Sequence, residues 1–394
     1  MDKNFFFKLT SSISFKKGLV VFLLLQLFFL PRANAQWSAL GAGSCDIVYA
    51  ASPDVTNTGI YFGMNYGNCG ANNFIQHWNG AAVSNLNANC YVNGYIYAIA
   101  ISGNNVYVGG NFTTAGGVGG FNNIACWNTS TNTWSTLGTG VAGSNKTVYA
   151  LTVDASTSTL YVGGEFLTAN GTTVNNIATW NIGSSTWAAL NPGTAGVNGV
   201  PGGSPPGSVA GVYALTYFGG KLYAGGRFTS VNGATTANNI AAWNGAAWST
   251  LSGGGQIGVS NTTVVNPANV ASPVWDAPVM ALTNDGTSVY VGGDFNKVNN
   301  ATGCNNIAAW NTTSSIWSTM GAGMTWPGSG STATDNTFGD QANVYALTMY
   351  NGNVVAGGDF MKAGTVGGAN TSLFVAQWNG SAWSAMSTNC GGAV

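Results

Sequence analysis

One short motif returns along most of the chain and constrains the fold more tightly than composition does. Tyr107-Val108-Gly109-Gly110-Asn111-Phe112 recurs at Tyr161–Phe166, Tyr223–Phe228, Tyr290–Phe295 and Val355–Phe360, with a weaker copy at Tyr61–Tyr66. A Val-Tyr-Ala-Leu type segment precedes each copy, beginning near Val48, Tyr97, Val148, Val212, Val279 and Val344. An Ile-Ala-x-Trp-Asn element follows at Ile124–Asn128, Ile177–Asn181, Ile240–Asn244 and Ile307–Asn311, with looser versions ending in Trp78 and Trp378. A fourth element, Trp-x-x-Leu or Met, starts at Trp134, Trp187, Trp248, Trp317 and Trp383, and Val83–Leu86 is its degraded form in the first unit. Such segments, rich in β-branched and aromatic residues and separated by Gly, Asn and Ser, read as four antiparallel strands per unit.

Trp78, Trp127, Trp180, Trp243, Trp310 and Trp378 follow one another at 49, 53, 63, 67 and 68 residues, so the unit is about 50 residues with growing insertions. A lone four-stranded sheet leaves both faces bare. Radial packing hides the faces and most of the edges. The expectation is an all-β chain forming a six-bladed β-propeller of four-stranded antiparallel blades, with the Val-Tyr-Ala-Leu strands innermost. Trp37–Leu40 supplies one fourth-strand element too many. It either displaces Trp383–Met386 in the last blade and closes the ring, or marks a seven-bladed or truncated repeat array.

The hydrophobic strand ending in Gly-Gly, followed by paired aromatics seven residues apart at Trp127 and Trp134, Trp180 and Trp187, and Trp310 and Trp317, resembles the kelch motif of galactose-oxidase-type propellers. The added Phe and the Ile-Ala-x-Trp-Asn element are similar to repeats of the fungal cell-polarity marker family and of secreted bacterial propellers. The resemblance covers nearly all of residues 37–386. Two departures stand: Trp replaces the usual kelch Tyr, and the family's Arg after the last strand is absent. It implies the fold and leaves the partner open, because propellers host unrelated functions.

Residues 1–35 read as a signal peptide: Lys3, Lys8, Lys16 and Lys17 precede an apolar run from Gly18 to Leu30, and Ala33-Asn34-Ala35 forms a small-x-small cleavage site. The run is too short to span a bilayer as a helix, and no later segment qualifies, so no membrane span is expected after signal cleavage. The mature domain is then 36–394, secreted or at the cell surface, with five Lys and Arg against ten Asp and Glu. Its scattered cations exclude nucleic acid as the expected partner.

The 4–1 connections lengthen at Asn191–Gly211, Ser252–Pro278 and Gly321–Asn343, all on one face of the fold, where binding commonly resides. Trp275 and Trp326 lie in two of them, as sugar platforms or protein anchors, or simply pinning their own loops. The residue between Gly-Gly and Phe is polar in every unit, and Glu165, Arg227, Asp294 and Asp359 carry charge there. We favour a reading in which these side chains cap backbone N–H groups at their strand ends. The alternative is a polar rim that binds a ligand or cation. The Asn pairs, such as Asn175-Asn176, read as turn chemistry, and the repeat Trp and Tyr residues as core.

No catalytic residue set, metal site or cofactor is expected. His77 is the sole histidine, Arg227 the sole mature arginine, and P-loop, EF-hand and HExxH patterns are lacking. The strand map predicts Cys45–Cys390 and Cys69–Cys90 disulfides, the first closing a loop worth on the order of 5 kcal/mol, and leaves Cys126 and Cys304 unpaired. Other loop paths would join Cys45 to Cys69 or Cys90. The expectation is a non-catalytic binding or adhesion module presenting the long-loop face to a protein or surface polysaccharide. A structural repeat module of an envelope assembly and a glycan-active enzyme using the acidic rim are the alternatives.

Overall fold

The computed structural model describes residues 48–54, 59–64, 73–143, 145–190, 196–199, 208–233, 235–253, 256–261, 277–298, 301–325, 342–364 and 374–386, all within the compact unit Ser38–Val394. Among them there is no helix, and hence none long and apolar enough to cross a membrane. The chain is an all-β propeller-type fold built from four-stranded antiparallel meanders. Six are present among the described residues, with inner strands Val48–Pro53, Tyr95–Ser102, Thr147–Asp154, Gly211–Phe218, Val279–Asn284 and Asn343–Tyr350. In the third sheet, Thr147–Asp154 pairs with Thr159–Glu165, then Ile177–Asn181, then Thr186–Ala189. Each inner strand packs beside the next.

Trp37–Leu40 lies outside the described residues. Trp383–Ala385 pairs with Val375–Trp378 as the outer strand of the sixth sheet, so the alternative in which it is displaced is not adopted.

The cores sit between neighbouring sheets. One buries Tyr107, Ile124 and Cys126 of the second sheet against Val148, Leu160 and Phe166 of the third. The Gly-Gly pair makes this fit, through close approach and not through positive φ. A Cβ on Gly163 would lie 2.6 Å from Val212 Cγ1 of the fourth sheet, and one on Gly164 would collide with the Thr147 carbonyl of its own inner strand.

The outer Trp seam joins sheets by hydrogen bonds. Trp187 Nε1 donates to the Leu137 carbonyl at 2.7 Å, Trp317 Nε1 to Leu251 at 3.0 Å and Trp383 Nε1 to Met320 at 2.7 Å. These acceptors are the backbone carbonyls of the Leu or Met of the Trp-x-x-Leu element one sheet earlier, and the side chains of the same residues are buried in the cores between sheets.

A fifth element escaped the sequence reading. Val141–Ala142, in the link between the second and third sheets, pairs with Thr168–Ala169 of the next sheet's 2–3 hairpin. Equivalent pairs join Val197–Asn198 to Ser230–Val231 and Met324–Thr325 to Lys362–Ala363. Two-residue strands carry no periodicity, so sequence patterning does not reveal them. The links are also tied to the sheet they leave. Asn176 Oδ1 accepts the Phe166 N–H at 3.1 Å while its Nδ2 donates to the Val197 carbonyl at 3.0 Å, and Asn306 repeats this with Phe295 and Met324. The Asn pairs are therefore structural, and Asn176 takes φ 71° to do this work.

Candidate functional site

Every inner strand carries a β-bulge at the same place. The pairing register slips between Val48 and Ala50, Ile96 and Ala98, Val148 and Ala150, Val212 and Ala214, Val279 and Ala281, and Val344 and Ala346. The extra residue is in turn Tyr49, Tyr97, Tyr149, Tyr213, Met280 and Tyr345. A bulge re-aims its side chain relative to the pleat. Here that turns one side chain per sheet toward a shared cavity of about 380 Å³ lined by these six residues and Glu165. The Gly-Gly pair faces the bulge, Val148 opposite Gly164 and Ala150 opposite Gly163, and the missing Cβ of Gly164 admits the crowded strand.

This collar corrects the assignment of every repeat Tyr to the core. Second-strand tyrosines such as Tyr107 and Tyr223 are buried, whereas Tyr49 and Tyr345 are 52% and 54% exposed. The rings touch in series, with centroids 5.4 Å apart for Tyr49 and Tyr97, 5.3 Å for Tyr97 and Tyr149, and 5.4 Å for Tyr149 and Tyr213. The available signal was Tyr, or Met in one copy, at one fixed motif position beside the strand end.

The four charged rim residues occupy equivalent strand ends on the collar's face. Glu165 is paired opposite Thr147, Arg227 opposite Gly211 and Asp359 opposite Asn343, while Asp294 follows its strand and donates its N–H to the Pro278 carbonyl at 3.1 Å. Only Glu165 among them lines the cavity. Its bonds overturn the capping reading at this position: Tyr213 Oη donates to Oε1 at 3.0 Å and Asn145 Nδ2 to Oε2 at 2.8 Å, both from side chains. Gly211 makes the room, since a Cβ there would sit 2.8 Å from both Glu165 Cγ and Tyr213 Cε1.

Burial pushes the Tyr213 hydroxyl well above its ordinary value, Glu165 adds to the push and Arg227 opposes it. Burial likewise raises Tyr97 and Tyr149, the latter with help from Glu165. Burial raises Tyr345 too, with Asp359 and Asp294 pushing the same way against a bond from Asn343. The hydroxyls of Tyr97, Tyr149, Tyr213 and Tyr345 are thus neutral donors near pH 7.

Trp275, Trp326, Cys45, Cys69 and Cys390 lie outside the described residues. Cys90 is a free, fully buried thiol packed with Ile75, Val92 and Phe112, so the expected Cys69–Cys90 disulfide is not formed in this structure. Its apolar surroundings suit a thiol acting as a small hydrophobe, and burial holds its pKa far above the ordinary thiol range. Cys126 and Cys304 are likewise buried free thiols. On the opposite face His77 Nε2 meets Asp54 Oδ2 at 3.2 Å, with Tyr61 stacked on the imidazole. Among the described residues no group of three or more His, Cys, Asp or Glu side chains is placed to hold a metal ion.

No protein-family model matches the sequence, and no curated protein matches it. Solved structures are similar in fold. The extracellular domain of a hybrid two-component system from B. thetaiotaomicron is 12% identical, with 84% of this chain and 33% of that one covered and a TM-score of 0.44; this chain spans about a third of its length. The WD40 repeats of RRP9 are 9% identical over 85% of this chain and 77% of theirs, with a TM-score of 0.46. The computationally designed Ika8 protein is 14% identical over 85% and 72%, with a TM-score of 0.40.

Proposed function

We propose that the chain is an exported, non-catalytic binding module that presents the collar face to a protein or polysaccharide at a cell surface. One observation carries this reading: a cavity walled by one residue from each of the six inner strands opens among the charged strand ends. Pockets of this size, with aromatic walls and a few fixed polar groups, are typical of ligand sites. The long links Asn191–Gly211, Ser252–Pro278 and Gly321–Asn343 join strand ends of that same face, and Trp275 and Trp326 fall within two of them in the sequence. The signal-peptide pattern of residues 1–35 and the kelch-like repeats agree with an exported scaffold.

The glycan-active alternative needs two carboxyl groups flanking a sugar bond. Of the charged strand ends only Glu165 lines the cavity.

Binding of the purified mature protein to glycan and protein arrays tests the reading, alongside the Trp275→Ala, Trp326→Ala and Tyr149→Leu variants. Selective binding that any of these weakens supports the proposed face. Binding that all three leave unchanged moves the site elsewhere, and turnover of an arrayed glycan replaces the binding module with an enzyme.

A further inference from the structure

We propose that the tyrosine collar is a receptor for a single alkylammonium group, which enters the cavity between the π faces of Tyr97, Tyr149 and Tyr213 with Glu165 as its counter-charge. This deepens the binding-face reading above by naming the chemistry recognised at its centre. Three observations converge on it.

The first is the wall composition. Five Tyr, one Met and one Glu line about 380 Å³. Aromatic faces within about 6 Å attract a cation through their quadrupoles, and more strongly once the cation is desolvated. The collar rings are tilted or perpendicular to one another, with interplanar angles of 59°, 39° and 90° along the series, as a cage requires and a flat stacking platform does not.

The second is the state of Glu165. Its two bonds come from neutral donors, Tyr213 Oη and Asn145 Nδ2. They hold the carboxylate in place without cancelling its charge. Across the four charged strand ends, three carboxylates stand against the single guanidinium of Arg227, so the collar offers a net negative rim.

The third is asymmetry. The position before the inner-strand Val or Ile is Tyr95, Thr147, Pro278 and Asn343 in other sheets and Gly211 in the fourth alone. Only a glycine leaves space there for Glu165 to reach Tyr213. A repeat kept for architecture has no need of one distinct sheet. A site with one anchoring charge does.

Titration of the mature protein with choline, n-butylammonium and 3,3-dimethylbutanol, the neutral isostere of choline, tests the proposal by calorimetry and by tyrosine fluorescence. One of the two cations should bind about tenfold or more tighter than the neutral isostere, and choline against butylammonium distinguishes a quaternary from a primary group. Glu165→Gln, which keeps the shape and one accepting oxygen but removes the charge, should weaken cation binding about fivefold, Tyr149→Leu by a similar factor, and Gly211→Ala should weaken it as well. Lys221→Gln, at the start of a second strand on the opposite face, should change nothing. If Tyr149→Leu does not fold, Tyr149→Phe retains the π face and should retain most of the affinity.

Equal binding of the neutral isostere, no binding of either cation at millimolar concentration, or full affinity in folded Glu165→Gln and Tyr149→Leu overturns the cation site. Array binding that persists through such a failure leaves the binding face standing without this chemistry. Cation binding to a protein that recognises nothing on the arrays separates the two in the other direction.

Discussion

The third and sixth sheets carry the same Gly-Gly pair and place it in different surroundings. A Cβ on Gly163 would press on Val212 of the next sheet, whereas among the described residues one on Gly357 would meet only Ala346 Cβ at 3.8 Å and the Phe374 carbonyl at 4.0 Å, both in its own sheet. The partner valines differ to match: Val148, Val212, Val279 and Val344 are fully buried, and Val48 of the first sheet is 41% exposed. Identical motif residues therefore do two jobs at the interior junctions and one at the chain ends. The second Gly admits the bulge in five of the six sheets, as the blocked Cβ positions of Gly164 and Gly358 show, while Met64 stands at that position in the first. The first Gly serves the junction, and only a neighbouring sheet gives it that role.

The contrast breaks most visibly under overpacking. Gly163→Ala should destabilise by about 2–3 kcal/mol, read from urea midpoints, while Gly357→Ala stays near neutral. Equal losses would mean that the glycine serves only its own sheet. Truncating the partner residue gives the next effect: Val212→Ala should cost about 2 kcal/mol and Val48→Ala well under half of that.

The outer seam offers a sharper pair, since Trp187 Nε1 donates to the Leu137 carbonyl and Trp248 Nε1 is buried with no partner among the described residues. Trp187→Phe and Trp248→Phe remove the same volume. The first should therefore lose about 1 kcal/mol more, and Trp248→Phe sheds an unsatisfied donor. Similar losses would show that packing alone holds the seam.

The smallest effect concerns the face opposite the collar. Burial alone would raise Asp154, but bonds from Ser156, Thr157 and Tyr217 outweigh it and hold its pKa at about 2 against an ordinary 3.8. A depressed folded value means that its contribution is complete above about pH 4 and is lost as the pH falls toward 2. Asp154→Asn should flatten that part of the acid-unfolding profile. An unchanged profile would place the acid-sensitive groups elsewhere.

Much of the fold was legible because burial imposes a period. Tyr107, Trp127 and Phe166 recur where a sheet face must be covered, and Gly, Asn and Ser mark where the chain turns. The collar was less legible. In a regular strand Val148, Tyr149 and Ala150 alternate between faces, and nothing local distinguishes a tyrosine bound for the core from one turned to the axis. The bulge that separates them arises between strands, where Val148 and Ala150 meet two consecutive glycines. The charged strand ends were found by register, yet the partners of Glu165 were not, because Tyr213 lies 48 residues away and Gly211 is informative only once both are in place.

Repetition, the polar residue after each Gly-Gly and the four-strand unit were thus properties of the amino-acid order, since side-chain alternation and turn chemistry act over a few residues. Which tyrosines face the cavity, which glycine cradles Glu165, which valine is left bare and which cysteine remains a buried thiol were decided by the tertiary structure. Each depends on what the adjacent sheet brings within a few ångströms, and that distance is set by packing between units, not by sequence within one.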